Sequence, residues 1–239
     1  MTYIFLVAGK GIRLHPLTFN HPKSLYKLDK NTSVLQRMIN LIRSYDNEAN
    51  IVIVTGFMSC KIERSVNEVV FIKNPFYAIT NSIASLWFAR NYLDGDVVII
   101  NGDIVVSSKL IKDIIVNPIE VPTVLIDSSI KSQGDYNVQV NDERVVVMSK
   151  EITEYYGEYA GITKLEKNSS KTLREEIDLM INEGFTDQWY ENALVQLIFR
   201  DDFRLSYVDI SEYDWTEIDS ANDLIKAQTI HRQDLSNNY

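Results

Sequence analysis

The sequence predicts an α/β fold, with a doubly wound, mainly parallel (Rossmann-like) sheet followed by a smaller α+β portion. Over residues 1–122, short apolar runs rich in β-branched residues alternate with stretches of helical spacing. Such alternation is typical of parallel strands that are joined by crossover helices. From about Thr123 the pattern changes to closely spaced strands with one hairpin, and then to helices. No linker separates the two parts, so we expect a single domain over residues 1–239.

The first part is expected to consist of strands and helices with short connections. Ser33 or Thr32 is the expected N-cap of the first helical pattern, because a hydroxyl there can accept a hydrogen bond from a free backbone N–H. The expected strands are Tyr3–Val7, Asn50–Thr55, Val69–Lys73 and Asp96–Asn101, and the expected helices are Ser33–Tyr45, Cys60–Glu68 and Asn81–Leu93. Ligands of doubly wound sheets bind at the carboxyl ends of strands, so residues that follow these strands are site candidates.

The second part is expected to contain a hairpin that turns around Asn141, Asp142 and Glu143. Its expected strands are Val124–Asp127, Asn137–Val140, Val145–Ser149, Ala160–Leu165 and Leu205–Ile210. Its expected helices are Ser169–Glu183, Trp189–Arg200 and a last one from about Ser220. The polar residues from Gln233 to Tyr239 are expected to be frayed.

The composition excludes several classes of function. The chain has 239 residues, is 45% hydrophobic and carries a net charge of −9, so a nucleic-acid or anionic-membrane partner is not expected. Residues 1–43 nevertheless carry seven lysines and arginines against Asp29, a local charge of +6 that suits a small phosphate-rich ligand. The single cysteine, Cys60, and the lack of a long apolar run favour a cytoplasmic location without disulfides.

A glycine loop follows the first predicted strand. Gly9 and Gly11 allow a ligand to approach the main chain closely, and backbone N–H groups in such a turn can hold phosphate oxygens. Arg13 and Lys23 supply positive charge beside this loop. The Walker pattern is absent, and Leu14 stands where the dinucleotide fingerprint requires a third glycine. The loop therefore predicts a triphosphate site of another type.

The longer string around this loop is more specific. It reads Val7-Ala8-Gly9-x-Gly11-x-Arg13-Leu14-x-Pro16-Leu17-Thr18, and later Pro22-Lys23-x-Leu25. This string resembles the N-terminal signature of the sugar-phosphate nucleotidyltransferase superfamily. The resemblance implies that Arg13 and Lys23 bind the phosphates that leave as pyrophosphate. It also implies a nucleotide-binding part over about 1–122 and an acceptor-binding part over about 123–239. The nucleotide-binding residues implied near the loop are Leu6, Ala8, Gly9, Lys10, Gly11 and Gly102.

Two aspartates are candidates for a metal site. Asp103 follows the fourth predicted strand, where a carboxylate would meet the ligand cleft, whereas Asp219 by itself reads as the N-cap of the last helix. The resemblance implies that both hold Mg²⁺, a cation that prefers carboxylate and phosphate oxygens. It also implies that Lys150, after the hairpin, contacts phosphate; the alternative is a solvated lysine at a strand end.

The segment from Tyr77 to Leu86 suggests which nucleotide is used. It is similar to the Asn-Asn-x-x-Ser-Leu segment of bacterial CTP:phosphocholine cytidylyltransferases, and this similarity implies that Asn81 and Ser85 help to hold CTP. The segment departs from that pattern at Ser82, where the branch often has a second Asn. Ser24 departs from the sugar-specific branch, which usually has proline after the signature lysine.

Aromatic residues of the second part suggest the acceptor. Aromatic faces bind quaternary ammonium groups and carboxylates bind primary ones, so we expect an amine-bearing phosphate or phosphonate. Phosphocholine, 2-aminoethylphosphonate and an amino-acid phosphate remain open, and for any single ring the alternative is ordinary core packing. The candidate acceptor-binding residues are Tyr136, Glu158, Trp189, Tyr190, Glu191 and Trp215, with Asp135 and Asp187 as nearby acids.

Two rival functions are kept. One is a sugar-1-phosphate nucleotidyltransferase that uses UTP, dTTP or CTP. The other is a catalytically inactive nucleotidyltransferase-like regulator, against which the retention of both cationic residues and both aspartates argues. The expected partners are CTP and the acceptor, with a homodimer as an open alternative.

Overall fold

The structure is a computed structural model that describes residues 1–14, 16–130, 136–201 and 203–237. Its strands are β1 (Thr2–Val7), β2 (Asn50–Thr55), β3 (Val70–Lys73), β4 (Val97–Asn101), β5 (Ile104–Val106), β6 (Thr123–Asp127), β7 (Asn137–Asn141), β8 (Arg144–Ser149), β9 (Gly157–Leu165), β10 (Ser206–Asp209) and β11 (Trp215–Glu217). Its helices are α1 (Val34–Tyr45), α2 (Ser59–Glu63), α3 (Ser82–Phe88), α4 (Ser108–Leu110), α5 (Lys167–Asn182), α6 (Glu191–Asp201) and α7 (Ala221–Asn237). Asp135, one of the acids expected near the acceptor, lies outside the described residues.

One sheet extends through both parts of the chain. Among the described residues it has nine strands, in the order β3-β2-β1-β4-β9-β6-β10-β8-β7. The first four strands of this order are parallel, with Leu6 of β1 opposite Val54 of β2 and Asn101 of β4. Strand β9 then enters antiparallel between β4 and β6, and β7 and β8 form the predicted hairpin. The α/β fold with its doubly wound parallel sheet is thus confirmed, and antiparallel pairings prevail in the second half.

Helices cover both faces of the sheet. On β1, Ile4 faces a core that includes Ile83 of α3 and Ile177 of α5. Its neighbours Tyr3 and Phe5 face the opposite core, to which α1 contributes Leu35, Met38, Ile39 and Ile42. Successive residues of a strand point to opposite faces, and a strand covered on both faces is apolar throughout. This explains why β1, β2 and β4 could be recognised as uninterrupted apolar runs.

Several element ends differ from the sequence prediction. Helix α2 ends at Glu63 instead of Glu68, and Glu68 has a positive φ of 59°, a conformation that ends a helical path. Helix α3 ends at Phe88 and is followed by a 3₁₀ turn over Arg90–Tyr92. The predicted N-cap is confirmed, because the Ser33 side chain accepts a hydrogen bond from the backbone N–H of Gln36.

The prediction of a frayed C-terminus was wrong for residues 233–237. Helix α7 continues to Asn237, because Asp234 is almost fully buried and is paired with the guanidinium of Arg37. Asp234 also accepts hydrogen bonds from the backbone N–H and the hydroxyl of Ser108, at 2.9 and 2.8 Å. Over the residues that the structure describes, the helices are too short or too polar to cross a membrane.

Candidate active site

The candidate site lies where β1 and β4 end side by side. The backbone N–H of Gly102 donates to the carbonyl of Leu6 over 3.0 Å, so the turn after β4 lies against the start of the glycine loop. A Cβ atom on Gly102 would lie 2.2 Å from Cγ1 of Val7, so a side chain cannot be accommodated there. The two candidate loops of the sequence are therefore in direct contact.

The glycine loop curves around the base of Lys23. Gly11 has a φ of +62°, and a Cβ atom there would lie 2.8 Å from Cγ of Lys23. The hydroxyl of buried Thr18 donates to the Gly11 carbonyl over 2.7 Å and fixes the turn. Glycine at this position thus provides both the left-handed conformation and the space for the lysine. We call the surface depression beside this turn the loop groove; its lining includes Lys10, Gly11, Arg13, Lys23 and Gly102.

The two signature cations contact the two candidate metal ligands. Nζ of Lys23 lies 3.2 Å from Oδ2 of Asp103 and also pairs with Oδ1 of Asp219. A guanidinium nitrogen of Arg13 lies 2.8 Å from the other oxygen of Asp219. Burial opposes the charge of Lys23, but the nearby charge of Asp103 and the hydrogen bond to Asp219 outweigh it and raise the pKa of Lys23. The lysine therefore remains cationic within the site.

A short ribbon brings the carboxylates together. Strand β11 pairs antiparallel with β5, with Glu217 opposite Ile104, and the N–H of Ile218 donates to the carbonyl of Asp103 over 3.1 Å. As a result, carboxylate oxygens of Asp103, Glu217 and Asp219 lie within 4.8 Å of one another. Three hard oxygen donors at this spacing fit a Mg²⁺ ion. The sequence interpretation missed Glu217, although its position two residues before Asp219 in an extended segment was a usable signal.

A cleft of about 230 Å³ continues from these carboxylates across the carboxyl edge of the sheet. The predicted site residues that line it are Leu6, Ala8, Gly9, Arg13, Asn81, Ser85, Asp103, Tyr136, Lys150, Trp189 and Glu191. Residues of the lining that the sequence interpretation did not assign include Tyr77, Thr80, Asn101, Tyr159 and Glu217. The structure therefore gathers predicted nucleotide-binding and acceptor-binding residues into one continuous depression.

The start of α3 forms one end of the cleft, the end that carries the predicted nucleotide-binding residues Asn81 and Ser85. Asn81 caps this helix, because its side-chain oxygen accepts from the N–H of Ser82 over 2.9 Å. Ser85 follows one turn later and receives a hydrogen bond from the side-chain amide of Asn74 over 3.0 Å. Both predicted residues thus have fixed positions at the wall of the cleft.

The other end of the cleft, which carries predicted acceptor-binding residues, combines aromatic rings with charged groups. The rings of Tyr136 and Trp189 meet edge to face at 5.2 Å, and Nζ of Lys150 lies 3.8 Å from the centre of the Trp189 ring. Glu191 is 5% exposed, and burial raises its pKa to about 7, although a hydrogen bond from Asn101 and the charge of Lys150 oppose this shift. An aromatic face, a lysine and a buried carboxyl group therefore converge at this end.

Three predicted acceptor residues do not line the cleft. Tyr190 is fully buried, and its hydroxyl is bonded to those of Tyr159 and Thr163. Trp215 lies in the core and donates its indole N–H to Asp127 over 2.8 Å. Glu158 lies on the face of β9 opposite Tyr159, which does line the cleft. Composition alone could not distinguish these residues from cleft residues, because aromatic side chains suit cores and ligand sites equally well.

No family model matches the chain, but curated relatives and solved structures do. The chain is 29% identical over 154 residues to the bifunctional protein GlmU of Methanococcus aeolicus, an alignment that covers 60% of this chain and 34% of that protein. It is 31% identical over 110 residues to the 2-aminoethylphosphonate cytidylyltransferase of Lancefieldella rimae, which covers 44% of each. The chain thus spans about a third of the length of the first relative and less than half of the length of the second.

Solved structures match almost the whole chain. The CTP:phosphocholine cytidylyltransferase of Streptococcus pneumoniae superimposes with a TM-score of 0.78 and 20% identity, over 96% of this chain and 98% of that one. The inositol-1-phosphate CTP transferase of T. maritima gives a TM-score of 0.74 and 18% identity, over 96% and 95% of the two chains. A putative glucose-1-phosphate thymidylyltransferase from Bacillus anthracis also gives 0.74, with 19% identity over 97% and 95%.

These structures define the class of fold. The chain has the fold of the sugar-phosphate nucleotidyltransferases, and the resemblance predicted from the N-terminal signature is confirmed at that level. Within the class, the structure from Streptococcus pneumoniae and the relative from Lancefieldella rimae are both cytidylyltransferases, the branch that the sequence interpretation favoured.

Proposed function

We propose that the chain is a Mg²⁺-dependent cytidylyltransferase that transfers CMP from CTP to the phosphate or phosphonate of a small amine-bearing acceptor and releases pyrophosphate. One observation carries this proposal: a cationic loop groove and an aromatic, acidic cleft meet at the cluster of Asp103, Glu217 and Asp219. A nucleotidyl transfer needs a triphosphate, a metal and an acceptor at one point, and this junction can accommodate all three.

The loop groove suits the triphosphate. Arg13 and Lys23 form its cationic wall, and Gly9 leaves open space above its Cα atom, where a phosphate can approach the main chain. Asn81 and Ser85 lie at the adjoining end of the cleft, where the cytosine and ribose would follow. The cations are preorganised for the charge that develops on the departing pyrophosphate.

The reaction requires one bond to form and one to break. An oxygen of the acceptor phosphate attacks the α-phosphorus of CTP, the bond between the α-phosphorus and the bridging oxygen breaks, and the electron pair leaves with pyrophosphate. The acceptor oxygen is already anionic at neutral pH, so no general base is required. Asp103, Glu217 and Asp219 would hold Mg²⁺, which when bound neutralises phosphate charge and orients the displacement.

The acceptor end suits an amine. Trp189 and Tyr136 present aromatic edges and faces, and Glu191 supplies a carboxyl group at the bottom of the cleft. This combination supports phosphocholine, 2-aminoethylphosphonate or an amino-acid phosphate as acceptor. Lys150, which lies over Trp189, would contact the acceptor phosphate. The expected cytoplasmic location and the open alternative of a homodimer remain predictions.

A sugar-1-phosphate nucleotidyltransferase is the second candidate. Two of the superimposed structures are named for inositol 1-phosphate and glucose 1-phosphate, and the fold supports either acceptor class. The aromatic residues favour an amine over a sugar, because a sugar pocket requires mainly hydrogen-bonding groups. The inactive-regulator alternative is weakened because Arg13, Lys23, Asp103 and Asp219 converge on one point.

A pyrophosphate-release screen tests the proposal. CTP, UTP, dTTP, ATP and GTP are each combined with phosphocholine, 2-aminoethylphosphonate, phosphorylated amino acids and sugar 1-phosphates, with and without Mg²⁺. We expect turnover only with CTP and an amine-bearing acceptor in the presence of the metal. Turnover with a sugar 1-phosphate and UTP, but with no CTP pairing, would contradict the proposal.

A further inference from the structure

The loop between β3 and α3 forms the rim between the cleft and the loop groove. Its residue Tyr77 lines both depressions, and its side chain is partly exposed. On the cleft side its neighbours include Ala8, Asn81 and Ser85, and on the groove side they include Lys10. Nζ of Lys10 lies 5.8 Å from the centre of the Tyr77 ring. The ring therefore lies at the boundary between the expected nucleoside and triphosphate positions.

A close backbone approach holds the Tyr77 side chain in place. A Cβ atom on Gly56, at the end of β2, would lie 2.6 Å from Cβ of Tyr77 and 2.8 Å from the carbonyl oxygen of Ala8. Only glycine leaves this space, so Tyr77 packs directly on the backbone beside the glycine loop. The ring of Phe57 supports it from the side, with ring centres 6.3 Å apart.

Asn74 fixes the loop that carries Tyr77. Asn74 is fully buried, and its amide donates to the hydroxyls of Thr80 and Ser85 at 3.1 and 3.0 Å. Its side-chain oxygen accepts from the N–H of Phe76 over 2.9 Å. One side chain thus ties the start of the loop to its end and to α3, and the loop is ordered before any ligand binds.

We infer that Tyr77 is a nucleotide-binding residue, whose ring packs against the nucleoside of the triphosphate where the chain of phosphates leaves the cleft. This inference rests on the proposed function, because it requires that a nucleoside triphosphate occupies the cleft and the groove. An aromatic ring held rigid at this rim can stack on a base or on the apolar face of a ribose without losing further conformational freedom. Asn74 acts as a positioning residue for the loop that carries Tyr77 and for Ser85.

Calorimetric binding of CTP with Mg²⁺ tests the inference, with Tyr77→Ala, Tyr77→Phe and Phe76→Ala as variants. We expect Tyr77→Ala to weaken binding roughly ten- to a hundredfold, the range for loss of one stacking contact. Tyr77→Phe keeps the ring and should bind within about threefold of wild type. Phe76→Ala is the matched control, because Phe76 lies in the same loop but stacks on Phe88 at 6.3 Å.

Steady-state kinetics and a double-mutant cycle separate binding from a structural defect. Tyr77→Ala should raise the KM for CTP and leave the KM for the acceptor within about twofold, a split that partial unfolding would not produce. Asn74→Ala should also weaken CTP binding, and less so in a Tyr77→Ala background; the effect that remains there measures the contact of Asn74 with Ser85. If Tyr77→Ala does not fold, Tyr77→Leu replaces it.

The outcomes distinguish the two proposals. If the wild-type protein binds none of the five triphosphates, the proposed function fails. If it binds CTP and Tyr77→Ala or Tyr77→Leu binds CTP as tightly, only the assignment of Tyr77 is overturned. If it binds another triphosphate and not CTP, the CTP-dependent function is contradicted, and the same comparison with that triphosphate tests Tyr77.

Discussion

Glu191 is the residue whose chemistry is changed most clearly by its surroundings. It begins helix α6 and is buried at the bottom of the cleft, where its carboxyl group meets Asn101 and the charge of Lys150. Burial raises its pKa to about 7, so the group is neutral in mildly acidic solution and ionised above neutrality. Such a group can distinguish a cationic acceptor from a neutral one only in its ionised form.

This leads to a pH prediction. Because the folded pKa is raised, the neutral form is favoured below about pH 7, and the KM for an amine-bearing acceptor should fall as pH rises from 6 to 8. Glu191→Gln should raise this KM at pH 8 and flatten the profile. Protonation of the acceptor phosphate affects the wild type and Glu191→Gln equally, so the difference between their two pH profiles measures the contribution of Glu191. Parallel profiles for the two proteins would contradict a role for Glu191 in acceptor binding.

The same shift predicts how stability depends on pH. An acid with a raised folded pKa contributes its full stability below the unfolded value and loses it as pH rises through the folded value. The free energy of unfolding of the wild type should therefore fall between pH 5 and 8 by more than that of Glu191→Gln, by up to about 3 kcal/mol. Urea unfolding at both pH values measures this difference. Equal pH dependence in both proteins would show that Glu191 is not buried as described.

Asp103 and Asp219 carry the metal prediction. Asp103→Asn and Asp219→Asn should each lower kcat by at least about a hundredfold and weaken Mn²⁺ binding in the presence of CTP, because each removes a charged oxygen ligand. Electron paramagnetic resonance of Mn²⁺ measures binding directly. Asp113→Asn, an exposed carboxylate remote from the cluster, is the control. Near-normal turnover and metal binding in both site variants would refute the assignment.

At the scale of elements, the β5–β11 ribbon determines where the three candidate metal ligands meet. The sequence placed Asp103 correctly, because it follows an obvious buried strand, whereas Asp219 could be assigned only through the family resemblance. Neither β5 nor β11 was predicted, since each is only three residues long and carries no periodic signal. Their pairing links distant parts of the chain, which local sequence patterns do not encode.

Helix α7 holds the segment after Asp219 against the signature segment. Ala227 and Ile230 of this helix share a core with Leu14, Leu28 and Ile218. This packing joins the residues that follow the glycine loop to those that precede and follow the C-terminal aspartate. The polar composition of the end of α7 concealed its role, because polar side chains make its contacts there: Nε2 of His231 lies 2.8 Å from Oδ2 of Asp29, and Asp234 forms a buried ion pair with Arg37.

That ion pair gives a stability prediction. Arg37 is 3% exposed, and removing its partner by Asp234→Ala would leave a buried guanidinium without a counter-charge. We expect a loss of about 3–5 kcal/mol in the free energy of unfolding, measured with urea. An Arg37→Met/Asp234→Leu double variant should recover much of this loss, because neither charge remains. A loss below about 0.5 kcal/mol in Asp234→Ala would contradict the contribution of the pair.

At the scale of the whole molecule, one sheet carries both halves of the site. The parallel strands β1 and β4 present the glycine loop and Asp103, and β9, antiparallel beside β4, contributes Tyr159 and Gly161 to the cleft. The alternating pattern of the first part predicted the parallel strands well. The direction of β9 could not be predicted, because nearly all of its residues are buried and such a burial pattern is the same for parallel and antiparallel pairing.

Charge is also organised at this scale. The protein is acidic overall, yet Arg13 and Lys23 of its cationic N-terminal part pair with Asp103 and Asp219, which cluster with Glu217 at the junction of the cleft and the groove. In the structure these two cations offset two of the three carboxylate charges. When a metal ion and a triphosphate bind, the phosphates would pair with the cations and the metal ion with the carboxylates, so that each ion pair is replaced by another contact between opposite charges. Such an exchange would position CTP at this junction for the proposed transfer of its cytidylyl group to the acceptor.

Isotope transfer tests this proposal most directly. The protein is incubated with Mg²⁺, an amine-bearing acceptor and CTP labelled at either the α- or the γ-phosphate, and the products are separated. We predict that the α label appears in a CDP-linked acceptor and the γ label in pyrophosphate, in equal amounts. If the acceptor takes up no α label, or takes up the γ label instead, the account of this protein as a cytidylyltransferase is contradicted.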